Sequence, residues 1–204
     1  MIITEIRKIG KGQRYYLFVD NDLFGVFEAE ILARHCLKTG QDFDKSFFDN
    51  LTIENGDYAC FNRGLVVLSK SMKSEKMLKD YLKEKKYPIQ CIDKAVLKLK
   101  EYDYINDELF CQNYISCYCN QKSKRKLKYD LLSKGIDENI IEKNLENIND
   151  EDEFSKAYNI AVKYLKNKTY DLKTKQKTFN YLIGKGFDFS VIQNVWEEIS
   201  NDRN

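Results

Sequence analysis

Basic side chains recur at intervals of three residues ahead of Leu82, Leu131 and Leu182, and cations at that spacing could bind an anionic partner. A spacing of three keeps side chains on one sector of an α-helix. The basic row consists of the cations found nine, six and three residues before these leucines: Lys73, Lys76, Lys79, Lys122, Arg125, Lys128 and Lys173. We predict that the row binds acidic side chains or phosphates of a partner. The alternative is an ordinary solvated face of lysine-rich helices.

The net charge of the chain is only +2, so the molecule as a whole carries no strong signal for nucleic-acid binding. The charge is nevertheless uneven along the sequence. Residues 71–135 contain 15 Lys and Arg against 9 Asp and Glu, whereas residues 136–204 contain 10 against 13. This asymmetry favours a partner whose surface is partly anionic.

Other residue types that could do chemistry lack the spacing that chemistry needs. His35 is the one histidine, and no nucleophile motif or metal-ligand spacing surrounds it. Cys111, Cys117 and Cys119 are irregularly spaced for zinc. We therefore predict no catalytic residue, no metal site and no cofactor, and we do not expect an enzyme.

The three leucines belong to a repeat of about fifty residues, a period typical of stacked helical units. Each leucine precedes a turn that contains a lysine, and an isoleucine follows the turn at Ile92, Ile141 and Ile192. An aromatic residue opens an apolar stretch upstream, at Phe61, Phe110 and Phe154; Tyr114 and Tyr158, one helical turn later, are predicted core residues with a polar tip. The pattern predicts three tandem three-helix repeats that form an elongated array.

The ends of the predicted helices carry matching signals. Gly135 and Gly186 can take the left-handed conformation that ends a helix, whereas Lys86 occupies this position in the first repeat, so we expect a different geometry there. Asp137 and Asp188 are predicted to cap the following helices. Acidic groups at 106–108 and 149–152 favour helix starts rather than metal sites. These signals agree with the repeat.

The first 27 residues differ from the repeats, because aromatic and β-branched residues dominate there. We predict a small β-meander with strands at 2–9, 14–20 and 23–27. Helical periodicity then begins at Glu28 and extends to Gly40 as the stop position. The predicted domains are residues 1–54, the meander with a helical extension, followed by repeats at 55–105, 106–148 and 149–204.

Composition indicates a soluble protein, since 32% of residues are charged and no run approaches the roughly 18 apolar residues of a membrane span. The N-terminus lacks the pattern of a signal peptide. We expect a cytoplasmic monomer with no membrane contact. Its six cysteines should stay reduced there and serve as core fillers.

Four segments in order resemble the RecX regulators of the bacterial recombinase RecA. They are Ser74-Glu75-x-x-Leu78-x-x-x-Leu82, Ile105-Asn106-Asp107-Glu108-Leu109-Phe110, the turn Lys134-Gly135-Ile136, and Phe179-x-x-Leu182-x-x-Lys185-Gly186-Phe187 ending at Trp196. The meander leading into Phe24-Gly25-Val26 resembles an extension of Gram-positive members. The resemblance covers nearly the whole chain.

The resemblance implies a regulator that binds RecA and RecA filaments on single-stranded DNA. It implies inhibition of recombinase, ATPase and co-protease activity, and so modulation of DNA repair, homologous recombination and the SOS response. Single- or double-stranded DNA is a further candidate partner.

The alternative is a nucleic-acid-binding module of tandem helix-turn-helix-like units. The helices after the turns are acidic, which disfavours binding of these helices in a nucleic-acid groove.

Overall fold

The computed structural model describes residues 1–146 and 153–201, and the chain divides into two compact units, Met1–Ile105 and Asn106–Asn204. The first unit opens with the predicted meander. Strands β1 (Ile3–Lys8), β2 (Arg14–Val19) and β3 (Asp22–Glu28) pair antiparallel in the order β1-β2-β3. Asp20 and Asn21, both at positive φ, form the tight turn between β2 and β3. The meander prediction is confirmed.

Helix α1 (Ala29–Arg34) is shorter than the periodicity indicated. Cys36 has a φ of +50° and ends the helix, so the predicted stop at Gly40 is wrong. The reason is tertiary: the Gly40 amide donates to the Ile3 carbonyl at 2.8 Å, and the Ile3 amide donates to the Gln41 carbonyl at 2.9 Å. Pairing with β1 outweighs the helical pattern of residues 35–40.

Helix α2 (Lys45–Leu68) joins the two cores of the first unit. The Asp44 side chain caps it by accepting from the Phe47 amide at 2.8 Å. Its first half buries Phe48 against the sheet, and its second half packs on α3 (Glu75–Glu84) and α4 (Ile89–Glu101). The predicted domain boundary between residues 54 and 55 lies inside this continuous helix.

The second unit contains two three-helix groups. The first group comprises α5 (Asp107–Tyr118), α6 (Lys124–Ser133) and α7 (Glu138–Glu146). The second comprises α8 (Glu153–Leu165), α9 (Leu172–Gly184) and α10 (Phe189–Asn201). Between residue 55 and residue 201, the described part of the chain contains no strand, as the repeat predicted.

The repeated apolar positions form the helical cores. Leu82, Leu131 and Leu182 all have 0% exposure. The isoleucines after the turns are equally buried, at 1% or less: Ile92, Ile141 and Ile192. The mainly α-helical fold with three tandem three-helix domains and a small N-terminal sheet is therefore confirmed.

The three turns share one geometry. Lys86, Gly135 and Gly186 have φ of +64°, +82° and +92°. In each turn the next amide donates back to the anchor leucine carbonyl, at 3.2, 3.2 and 3.3 Å. The expectation of a different first turn is wrong, because the backbone hydrogen bonds and the buried leucine hold Lys86 in the left-handed region despite its side chain.

The capping predictions are confirmed at 106–108 and at Asp137, whereas the Asp188 carboxylate pairs with Arg125 at 2.6 Å. Asn106 accepts from the Leu109 amide at 2.9 Å, and Asp107 and Glu108 follow in the first turn of α5. Asp137 accepts from the Asn139 amide at 2.9 Å. The predicted acidic start at 149–152 lies outside the described residues.

The two groups of the second unit join where α6 begins. Ser123, 1% exposed, donates its amide to the Lys185 carbonyl at 3.0 Å and its hydroxyl to the Gly186 carbonyl at 2.8 Å. A Cβ at Gly186 would overlap Ser123 Oγ and lie 2.5 Å from Lys126 Cβ. The turn glycine of the last repeat is thus needed for close approach as well as for its positive φ.

Candidate binding surface

The basic row occupies the start of one helix in each repeat, but the third repeat differs. Lys73 and Lys122 directly precede serines that cap α3 and α6, where Ser74 accepts from Met77 and Ser123 from Lys126, both at 3.2 Å. In the third repeat the cap is Asp171, three residues before the matching position. Lys173 therefore lies inside the first turn of α9 rather than before the helix.

Lys122 is part of a half-buried network between α5 and α6. Its ammonium donates to Asp130 and to the Tyr114 hydroxyl, both at 2.8 Å, and Lys126 reaches Asp130 at 3.0 Å. Side-chain exposure of Lys122 and Asp130 is 17% and 15%. Burial opposes both charges, but the hydrogen bonds outweigh it, so the pKa of Lys122 is raised and the pKa of Asp130 is lowered.

Lys128 bridges α6 to α7. It lies 2.6 Å from Glu138 and 2.8 Å from Glu142, and these two carboxylates raise its pKa to about 12. Lys79 similarly contacts Glu75 at 2.7 Å, and the hydrogen bond that it donates to the Glu75 carboxylate raises the pKa of Lys79. These cations hold neighbouring turns and helices together.

The remaining members of the row are more accessible. Arg125 pairs with Asp188 at 2.6 Å, yet both side chains are more than 60% exposed, and an ion pair in water at such a site contributes little. Lys76 and Lys173 are exposed, and Lys73 is half-buried. The row thus contains three cations that hold turns or helices of this chain together and four cations with more accessible side chains.

The other singled-out residues have structural surroundings. Tyr114 is half-buried with its hydroxyl on Asp130 at 3.1 Å, and Tyr158 packs against the core of the last group, as predicted. His35 Nε2 lies 2.6 Å from Glu54, whose pKa this hydrogen bond lowers, with a further contribution from Arg34. The pair links α1 to α2.

The cysteines divide by burial. Cys60, Cys91 and Cys111 are core residues, and burial raises the pKa of Cys60 to about 12 and that of Cys111 to about 11. Cys36 and Cys117 are exposed, so the prediction that all six cysteines fill the core is wrong for these two. Within residues 1–146 and 153–201 no group of His, Cys, Asp or Glu side chains could hold a metal.

A second basic surface, on α8 and α9, shares no lysine with the basic row, and the sequence alone did not predict it. A groove along α8 and α9 is lined by four lysines and two tyrosines: Lys163, Lys168, Lys177, Lys185, Tyr164 and Tyr181. The available signal was the interleaving of basic and aromatic residues at 163–168 and 177–185. We call this surface the lysine–tyrosine groove.

Comparison with known proteins connects this arrangement to a family. Models of the first, second and third three-helix domains of RecX match residues 60–99, 106–145 and 150–196, in that order. The chain belongs to the RecX family. Regulatory protein RecX of Clostridium beijerinckii is 33% identical over 203 residues, covering 98% of this chain and 95% of that protein. Regulatory protein RecX of Bacillus velezensis is 35% identical over 98% of this chain and 79% of that protein.

Solved RecX structures share the fold. A crystal structure of regulatory protein RecX superposes with a TM-score of 0.63 at 23% identity, covering 96% of this chain and 98% of that one. RecX from Lactobacillus salivarius gives a TM-score of 0.53 at 25% identity, covering 72% of this chain and 98% of that one. The predicted family is therefore confirmed, and a regulatory role follows from it. None of the described helices is long and apolar enough to traverse a membrane.

Proposed function

We propose that this RecX protein binds RecA and RecA filaments on single-stranded DNA and inhibits recombinase, ATPase and co-protease activity. It would thereby modulate DNA repair, homologous recombination and the SOS response. In this proposal the protein acts in the cytoplasm as a monomeric binding protein without a cofactor or a catalytic site. The observation that carries the proposal is the ordered match of three RecX three-helix domains along the chain.

We propose that the basic row supplies part of the contact, with its members in two roles. The more accessible cations would meet acidic side chains or phosphates of the filament: exposed Lys76, Arg125 and Lys173, and half-buried Lys73. Lys79, Lys122 and Lys128 would position the helices that carry them, since each is bonded to carboxylates of this chain.

The burial of the Lys122 network supports this division. Breaking a bonded, half-buried ion pair leaves one charge without its partner, which destabilises the fold. A variant of Lys122 would therefore confuse loss of binding with loss of structure. Exposed lysines can be replaced by glutamine with little effect on helix propensity.

The test is co-sedimentation with RecA filaments on single-stranded DNA at two salt concentrations. The row variant changes Lys73, Lys76, Arg125 and Lys173 to glutamine. We expect weaker binding and a shallower salt dependence, because fewer counterions are released on association. Unchanged affinity and an unchanged salt slope would show that the row is only a solvated face.

A matched variant controls for charge alone. It changes four exposed lysines of the N-terminal segment, Lys8, Lys11, Lys38 and Lys45, to glutamine. It removes the same charge as the row variant and should bind as the wild type does. Weakened binding of this control instead would place the contact on the N-terminal segment.

The alternative of tandem helix-turn-helix-like units has less support. Glu138 and Glu142 project from α7, the helix after the turn, and both lie at Lys128. A helix entering a DNA groove would place these carboxylates near phosphates, which repel them. Duplex DNA binding that is lost when the exposed Asn139 and Lys143 of α7 are replaced by alanine, and retained by the row variant, would favour the alternative.

A further inference from the structure

The lysine–tyrosine groove consists of two adjoining spaces in the second unit. One has a volume of about 400 Å³ and the other about 390 Å³, and Tyr164 lines both. The first space extends from α8 and α9 to Asn120 and Gln121, just after α5. The groove therefore combines residues of α8, of α9 and of the segment after α5.

Its charge differs from that of the basic row. Among the described residues, no carboxylate lies within 4 Å of the ammonium groups of Lys163, Lys168, Lys177 or Lys185, and none lines either space. The neighbouring Asp171 already accepts from the Thr174 amide at 2.7 Å, and this bond lowers its pKa. Four like charges along one groove create a positive potential suited to an anion with several charges.

An aromatic platform lies in the middle of these charges. The rings of Tyr164 and Tyr181 stack with centroids 4.3 Å apart and an interplanar angle of 14°. The Lys168 ammonium lies 3.1 Å from the Tyr164 centroid, and that of Lys185 lies 5.2 Å from the Tyr181 centroid. Tyr181 therefore covers one face of Tyr164 and Lys168 covers the other, which leaves the outer face of Tyr181, beside Lys185, for stacking. Every nucleic-acid base has a flat face that can stack on such a ring, whatever its sequence.

Amide side chains complete the lining at Asn120, Asn159 and Asn167. Each carries both a hydrogen-bond donor and an acceptor, which matches the edges of bases. An acidic peptide such as polyglutamate could use the lysines and, through its backbone, the amides, but it has no flat ring to stack on the platform. The combination favours a single nucleic-acid strand, whose phosphates and bases occupy both kinds of group.

We propose that the lysine–tyrosine groove binds one strand of nucleic acid, with phosphates on its four lysines and a base against the outer face of Tyr181. The site needs no RecA. It therefore goes beyond the regulatory function proposed above, and either can fail without the other.

The test uses the full chain without RecA and a fluorescein-labelled twelve-residue oligothymidylate, read by fluorescence anisotropy. The groove variant changes Lys163, Lys168, Lys177 and Lys185 to glutamine. We expect its affinity to fall at least about tenfold and its salt slope by about 3, since each phosphate contact on a single strand contributes about 0.7. The control variant at Lys8, Lys11, Lys38 and Lys45 should stay within about twofold of wild type, as for surface changes away from a site.

Two further ligands distinguish a strand from other anions on the wild-type protein. An abasic strand of equal length keeps the phosphates but offers nothing to stack, so it should bind more weakly. Polyglutamate of matched charge should compete poorly. The proposal is overturned if the groove variant binds the oligothymidylate as wild type does, if the abasic strand binds equally well, or if polyglutamate competes as strongly as the oligothymidylate.

Discussion

Replacing Gly186 by alanine tests the joint between the two groups of the second unit. Gly186 has a φ of +92°, where an L-residue costs about 1–2 kcal/mol. The added Cβ would overlap Ser123 Oγ and lie 2.5 Å from Lys126 Cβ. Forcing an extra carbon into such a contact costs about 1–3 kcal/mol. We therefore expect Gly186→Ala to lower the free energy of unfolding by about 2–5 kcal/mol.

The single tryptophan makes the assay specific to this region. Trp196 is partly buried in the last group, with ring centroids 5.8 Å from Tyr170 and 6.3 Å from Phe179. Its fluorescence during urea unfolding reports the second unit. We expect the midpoint to fall while the slope of free energy against urea is unchanged, because the surface exposed on unfolding is the same.

Substitutions at two other glycines separate the cost of the positive φ from the cost of the steric overlap at Gly186. Gly40 has a φ of +90° with nothing within 4 Å of a built Cβ, so Gly40→Ala should cost only the backbone part, read by circular dichroism of the first unit. Gly184 has neither feature and lies in α9, so Gly184→Ala should be neutral or stabilising by up to about 1 kcal/mol. If Gly186→Ala cost no more than Gly40→Ala, the close approach at Ser123 would be refuted.

Three further predictions concern the core and its charges. Leu131→Ala should lower the free energy of unfolding, measured in urea, by about 2–5 kcal/mol, because Leu131 is fully buried. The control Leu132→Ala changes a neighbour that is 41% exposed and should alter that free energy by less than about 1 kcal/mol. The pKa of Asp130 is lowered in the folded protein, so its carboxylate stabilises the fold above the unfolded pKa of about 3.9. That stabilisation is lost as the pH falls through the lower, folded pKa. Asp130→Asn should therefore flatten the decline of the unfolding free energy at acid pH. Burial raises the pKa of Cys60 to about 12, so maleimide should label Cys60 only after denaturation. The exposed Cys117 should be labelled in the native protein. Equal labelling of both cysteines in the native protein would contradict the place of Cys60 in the core.

The repeat was predictable because the spacing of apolar residues along each helix encodes it. Apolar spacing identifies which face of a helix is buried, and Leu82, Leu131 and Leu182 are all fully buried as that spacing required. The strands were predictable for the same reason. Lys86 was the exception, because its left-handed φ is imposed by the bond from the Tyr87 amide to the Leu82 carbonyl rather than by its own preference.

The binding surfaces were less predictable, because spacing along one helix carries no information about the helix that faces it. Lys122 and Lys128 occupy similar positions in the sequence pattern. Lys122 nevertheless forms an ion pair with Asp130 of α6, whereas Lys128 forms ion pairs with two carboxylates of α7. The lysine–tyrosine groove brings Gln121 and Lys185 to one space. Only the packing of the helices shows which cations remain directed to solvent.

The central claim, that this RecX protein regulates RecA through direct binding, is tested most directly by RecA ATP hydrolysis on single-stranded DNA. The rate is measured while the wild-type protein, the row variant and the charge-matched control variant are each titrated. We predict that wild type and control inhibit hydrolysis equally, and that the row variant needs a higher concentration and shows a shallower salt dependence. Unchanged hydrolysis at every concentration of the wild-type protein would contradict the account.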